Sequence, residues 1–221
     1  MPTWLIVAAE AREFSGILRR AGPPRRIESS DALFAREIDW KNAHWQLIAN
    51  GPGPRLVERA LAGSWRVDGV MSIGFCGALD PALHLGDIVV SGDVPREASG
   101  PFVRGEALSV DRVAVTAEEK RRLRATSGAA VVEMESAAVA EKARQWGVPF
   151  RCIRVVTDTA GEDLPLDFND YRDAAGRFEL GRIAGAALLR PFTALPGLVR
   201  LNRNCRLAAE RLGEFLANSE Y

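Results

Sequence analysis

Five short apolar runs punctuate the chain: WLIVA (4–8), WQLIA (45–49), GVMSI (69–73), DIVVS (87–91) and FRCIRVV (150–156). Each is brief and rich in β-branched residues, which predicts strands. Polar alternation is slight, as in strands covered on both faces. Between these runs, amphipathic stretches over 10–20, 55–65, 117–126 and 136–146 predict helices. The last stops at Gly147 with Pro149 beyond it, a helix terminus. From about residue 181 two more helices are expected, with the break at RPFTALPG marked by Pro191 and Pro196. Leu207, Leu212 and Leu216 follow helical spacing in the second.

Alternating strands and helices imply one α/β domain over 1–221, a three-layer sandwich with a central, largely parallel or mixed β-sheet flanked by helices and a C-terminal helical extension. In such sheets ligands bind beyond the carboxyl ends of the strands. Those ends are rich in chemistry. Glu10 and Glu13 follow the first run, NGPGP with Asn50 and Gly51 the second, GFCGAL with Gly74, Phe75, Cys76 and Gly77 the third, and Thr157-Asp158 the last. NGPGP fails as a dinucleotide motif, because the final glycine of GxGxxG would fall on Leu56 and Pro54 disrupts the turn. GFCGAL is read as a tight turn whose backbone N–H groups approach a ligand.

Charge and composition narrow the classes. Lys plus Arg equals Asp plus Glu, 29 of each, which gives no electrostatic case for nucleic acid. Basic clusters such as Lys120-Arg121-Arg122 read as solvated helix faces. Three cysteines without CxxC spacing suggest neither a disulfide framework nor zinc, and fit a reducing cytoplasm. The two histidines share no motif, so a His-based metal site or a Ser-His-Asp triad is not indicated. The N-terminal apolar run is too short for a signal-peptide core.

Singly, Asp158 reads as a turn acid, Glu135 as a helix-start acid and Met134 as core filler. Together they form a pattern. VVEMESAAVAEKARQWGVPFRCIRVVTDTAG (131–161) resembles the signature of the purine nucleoside phosphorylase and nucleosidase superfamily. Its marks are a Glu-Met-Glu turn into a helix, then GVPF, a strand and Thr-Asp. SIGFCGALDPALHLGDIVVSGDV (72–94) and VAAEAREF near the start extend the resemblance to about Tyr171.

The resemblance implies the fold named above and cleavage of an adenine nucleoside that carries a 5′ substituent. Asp158 would be the general acid at purine N7 and Glu135 the acceptor of the ribose hydroxyls. Met134 would pack on the ribose, with Glu133 against the base or supporting the turn. Gly74, Cys76 and Gly77 would line the pocket through backbone, beside Asn50 and Gly51. Phe75 or Phe168 would stack on the base, since Val113 and Ala114 stand where the nucleosidases carry a phenylalanine.

Two branches compete. Glu13 falls at the water-activating position of the methylthioadenosine/S-adenosylhomocysteine nucleosidases. ATSGAAVVEMES and the arginine-rich tail are more similar to hopanoid-associated phosphorylases, which is the reading preferred from sequence. The phosphate site of hexameric phosphorylases is not reproduced, because Ser72 and Phe75 replace its Arg and Ser. No cofactor or metal is implied, and inorganic phosphate enters only as a co-substrate. A non-catalytic nucleoside-binding protein is the rival of a different class. A homo-oligomer is expected, with Trp40, Trp45 and the C-terminal helices as apolar surface. RPFTALPGLVRLNRN suits a pocket edge, a membrane surface or ordinary helix packing.

Overall fold

The computed structural model describes residues 1–28, 30, 32–63, 65–92 and 100–220. In chain order the elements are β1 (Thr3–Ala8), a 3₁₀ turn (Ala11–Phe14), α1 (Ser15–Ala21), β2 (Arg25–Arg26), β3 (Phe34–Trp40), β4 (Ala43–Ala49) and α2 (Pro54–Ala60). Next come β5 (Gly69–Ala78), β6 (Ile88–Gly92), β7 (Val103–Arg104), β8 (Ala107–Ser109), α3 (Ala117–Ser127), β9 (Val131–Glu133) and α4 (Ser136–Trp146). The chain closes with β10 (Phe150–Asp158), a second 3₁₀ turn (Phe168–Tyr171), α5 (Leu180–Leu189) and α6 (Ala194–Asn218).

The central sheet is mixed and flanked by helices, as the run pattern predicts. Its order is β2-β3-β4-β1-β5-β10-β6-β7. The middle strands β4, β1, β5 and β10 are parallel, while β3 and β6 run antiparallel to their inner neighbours. Side-chain alternation sorts even an all-apolar strand. Trp4, Ile6 and Ala8 of β1 face Phe14, Ile17 and the α6 residues Leu212, Phe215 and Leu216. Leu5 and Val7 face the opposite layer, with Val57 of α2 and Val139 and Ala143 of α4.

Several boundaries differ from expectation. GFCGAL is no turn: β5 continues through it to Ala78. The helix predicted over 55–65 ends at Ala60, and Ser64 lies outside the described residues, as does the Asp93-Val94 end of the second motif. Glu133 ends a strand, and the helix after it starts at Ser136. β3 escapes the run pattern because Arg36, Glu37 and Asp39 interrupt it. It joins β4 through Lys41-Asn42, both at positive φ (52° and 59°), which suits a two-residue hairpin. Pro196 sits in the first turn of α6, where its missing N–H leaves nothing unpaired. Trp45 is fully buried, which removes it from any surface interface.

Helices α1 and α6 meet backbone to backbone. A Cβ on Gly16 would stand 2.0 Å from the Ala209 carbonyl oxygen, and one on Gly213 would stand 2.3 Å from the Gly16 carbonyl carbon. Alanine gains about 1 kcal/mol of helix propensity over glycine, but here it would force two packed helices apart. Gly16→Ala should therefore destabilise the fold by about 1–3 kcal/mol in equilibrium denaturation. An unchanged midpoint would mean that the helices do not cross at this distance.

Candidate active site

Three strand ends build one rim, and Gly77 is where they join. It pairs with Asp158 of β10 on one side and with Val132 of β9 on the other, so the extension of β5 draws the Glu-Met-Glu segment against the Thr-Asp end. A Cβ on Gly77 would come within 2.9 Å of Asp158 Oδ2, so glycine permits the close approach. Gly74 is constrained further. Its φ is +145°, and a Cβ there would lie 2.4 Å from Glu13 Oε1.

Glu13, on the 3₁₀ turn after β1, accepts hydrogen bonds from the Phe75 and Glu10 backbone N–H groups, each at 2.7 Å. Burial nonetheless pushes its carboxyl up to about 7, against those donors and the Arg154 charge. Glu135 takes the Gly53 N–H on Oε1 at 2.8 Å. Burial first, and the neighbouring charge of Glu133 second, push it up to about 8.

Glu133 behaves oppositely. Burial works to raise its carboxyl, but the Arg154 guanidinium and the hydroxyls of Ser109 and Ser136 overcome that and hold it below the usual range. It also accepts from the Glu135 and Ser136 N–H groups at 2.9 and 2.8 Å. Arg154, fully buried in β10, pairs with Glu133 and donates to Ser72 Oγ at 2.7 Å. Asp158 receives the Thr157 hydroxyl on Oδ1 at 2.9 Å and the Lys120 ammonium on Oδ2 at 2.6 Å. Burial raises its carboxyl, although Lys120 draws it the other way.

These acids border a cavity of about 590 Å³, a size suited to a drug-sized ligand. Glu13, Phe75, Cys76, Gly77, Glu133, Met134, Glu135, Asp158 and Phe168 all line it. Three expected residues do not. Gly74 packs behind Glu13. Asn50 is spent inside the protein, donating to the Leu56 carbonyl at 3.0 Å and accepting from Leu33 N–H at 3.3 Å and Arg177 at 3.2 Å. Gly51, at φ +108°, turns the chain and donates to the Ala9 carbonyl. Pro52 lines the cavity in their place.

Sequence reasoning missed Arg154 and Lys120. Arg154 hides in an apolar strand and Lys120 in a basic triplet, and only their burial distinguishes them. It also missed the apolar wall that Leu180, Ile183 and Leu188 of α5 and Leu195, Leu198 and Leu201 of α6 give the cavity.

A model of the phosphorylase superfamily matches residues 94–188. Similar proteins include a 5′-methylthioadenosine/S-adenosylhomocysteine nucleosidase of Shewanella sp. (strain MR-7). It is 27% identical over 148 residues, 49% of this chain and 63% of the relative. The nucleosidase of the same name from Staphylococcus aureus (strain JH9) is 25% identical over 52% of this chain and 67% of its own. The chain thus spans about two-thirds of the length of these curated relatives.

Among solved structures, the Helicobacter pylori 5′-methylthioadenosine/S-adenosylhomocysteine nucleosidase mutant with 5′-methylthioadenosine in its active site superposes with a TM-score of 0.69. It shares 17% identity and covers 98% of this chain and 96% of that one. Futalosine hydrolase of the same organism gives 0.68 at 17% identity, covering 98% and 96%. At these identities the likeness is one of fold. The relatives named here are nucleosidases and a hydrolase, none of them a hopanoid-associated phosphorylase.

The raised carboxyl of Glu135 makes a prediction about stability. A buried acid with a folded pKa near 8 holds its proton more tightly than in the unfolded chain. It therefore lowers stability as pH rises from its unfolded value of about 4.3 through its folded one. Glu135→Gln keeps an acceptor for Gly53 N–H and removes the titration. The variant should match the wild type near pH 5 and exceed it at pH 8 by on the order of 1 kcal/mol or more. A gap that stays constant with pH would contradict this environment.

Proposed function

We propose that this protein hydrolyses the N-glycosidic bond between adenine and a ribose that carries an apolar 5′ substituent. The observation that carries the reading is the acid cluster itself. Asp158 at one strand end and the Glu133-Met134-Glu135 segment at another share one cavity wall, with Asp158 and Glu135 raised by burial and Glu133 held low by Arg154. N-glycosidic cleavage asks for this division of labour. A protonated carboxyl supplies the proton that makes the departing base neutral, and a carboxylate beside the sugar offsets the positive charge of an oxocarbenium-like transition state.

In this reading Asp158 is the acid at N7. Glu135 binds the ribose 2′- and 3′-hydroxyls once ionised, while Glu133 stays ionised on Arg154 and orients the turn. Met134 packs on the sugar. Phe75, Phe168 and Phe178 are the aromatic side chains on the cavity wall, and Phe75 or Phe168 stacks on the purine. Glu13, poised near neutrality, serves as the base that activates water.

Two features of the site support water over phosphate as the acceptor. Glu13, with its carboxyl pushed up to about 7, can take a proton from water, and Arg154 is committed to Glu133 and so is not free to hold a phosphate. The named relatives, nucleosidases at 25–27% identity, point the same way. One observation favours the hopanoid-type reading: leucines of α5 and α6 line the same cavity and offer an apolar surface to a 5′ group. We keep the apolar substituent from that reading and replace its phosphate with water. Self-association is supported by Leu188, Leu189 and Phe192, which are exposed by 72%, 85% and 93% at the α5–α6 corner.

Adenine release from adenosine, methylthioadenosine and long 5′-alkyl adenosines, with and without phosphate, tests this function. Release should ignore phosphate and tolerate the long substituents. A strict phosphate requirement would establish the phosphorylase branch instead, and tight binding without release would make this a nucleoside-binding protein. Asp158→Asn should lower kcat by about 100-fold or more, the scale of a lost general acid. A near-normal kcat would end that assignment.

A further inference from the structure

Lys120 belongs to the triplet Lys120-Arg121-Arg122 of α3. Both arginines are exposed, but Lys120 is buried completely. Its ammonium has three N–H groups and three acceptors. These are Asp158 Oδ2 at 2.6 Å, the Thr159 carbonyl at 2.8 Å and the Glu162 carbonyl at 2.9 Å. An unshielded lysine at zero exposure is costly, so the fold keeps this one for its partner.

The count of partners has a chemical consequence. If Nζ gives up the proton shared with Asp158, two N–H groups remain for the two carbonyls, and the freed lone pair faces the carboxyl. The ion pair and the neutral pair therefore hold the same number of protons and satisfy the same acceptors. An arginine could not behave this way, because it does not deprotonate in proteins.

We propose that Lys120 and Asp158 form a proton-sharing pair in which Lys120 resupplies Asp158 as Asp158 protonates the leaving purine. This rests on the reading of Asp158 as the general acid. The proton passes from Lys120 Nζ to Asp158 and from Asp158 to N7. The C1′–N9 bond breaks with its electron pair going to the base. Lys120 is left as a neutral amine and Asp158 as a carboxylate, and when adenine leaves the proton returns from solvent through Asp158, which lines the cavity, to Lys120. Lys120 touches the acid and not the substrate, so it is a positioning residue that acts through Asp158.

The surroundings suit such a pair. Besides Lys120, the titratable groups acting on Asp158 are Glu162, whose charge opposes ionisation, and the buried thiols Cys76 of β5 and Cys205 of α6. Burial raises both thiols well above their usual range, so at neutral pH they hold their protons and stay uncharged. Lys120 is then the only cation within hydrogen-bonding reach of Asp158 among the described residues.

The test compares a 5′-substituted adenosine with its N7-methylated form, whose leaving base needs no proton, across pH. In the wild type the ratio of the two rates should stay flat from acid through neutral pH. A ratio that already climbs between about pH 5 and 7 would reveal a carboxylic acid titrating alone and overturn the proposal. Lys120→Met should lose about 100-fold on the unmethylated substrate at pH 8 and shift its alkaline limb downward, while the N7-methylated substrate stays within a few-fold. Equal losses on both substrates with an unmoved limb would make Lys120 structural. Lys120→Gln, read in the same way, serves if the Met variant fails to fold, and the wild-type ratio decides the matter if both do. No adenine release by the wild type from any substrate would instead reject the proposed function.

Discussion

Arg154 and Glu133 form an ion pair with both side chains almost wholly out of water, and the other acids of the site are arranged around it. One guanidinium cannot neutralise three buried carboxylates. Glu133 wins it, through direct contact and a further set of hydroxyl and backbone donors, so the cost of burial falls on Glu13 and Glu135. Removing either partner of such a pair leaves a lone buried charge, a loss of about 3–5 kcal/mol. The pair therefore ties stability to chemistry. It fixes the Glu-Met-Glu segment to β10 and decides which acids titrate near neutrality.

The same economy of contact shapes the backbone. Gly74 leaves room for the Glu13 carboxylate and Gly77 for that of Asp158, so both acids press against a strand rather than a loop. The long β5 is what allows this, because only a strand that runs on past the sheet's edge can pair with β9 and β10 together. Helices α5 and α6 add apolar side chains to the same cavity. Thus one pocket joins charged, hydrogen-bonded groups to greasy ones.

Much of this was legible in the residues. The apolar runs located five of the strands of the mixed sheet, because strands covered on both faces leave uninterrupted apolar stretches. The ordered motifs brought Asp158, Glu133, Met134 and Glu135 together. Asn50 and Gly51 misled because polar and glycine residues after a strand look alike whether they serve a ligand or a turn, and only the hydrogen bond to Leu56 separates the two. Lys120 and Arg154 were hidden for the reverse reason. A buried cation has no local sequence mark, since its burial is decided by carboxylates distant in the chain. The wall from α5 and α6 was equally unreadable, because helical spacing reports an apolar face but not what it covers.

The central claim is that one arginine leaves two of three clustered carboxyls titrating near neutral pH. Carbon-13 NMR titration of the glutamate side-chain carboxyls, assigned with single Glu→Gln variants, measures this directly. The account predicts that Glu13 and Glu135 titrate near 7 and 8, while Glu133 remains ionised well into acid. Ordinary carboxylate titration of all three, at about 4, would contradict it.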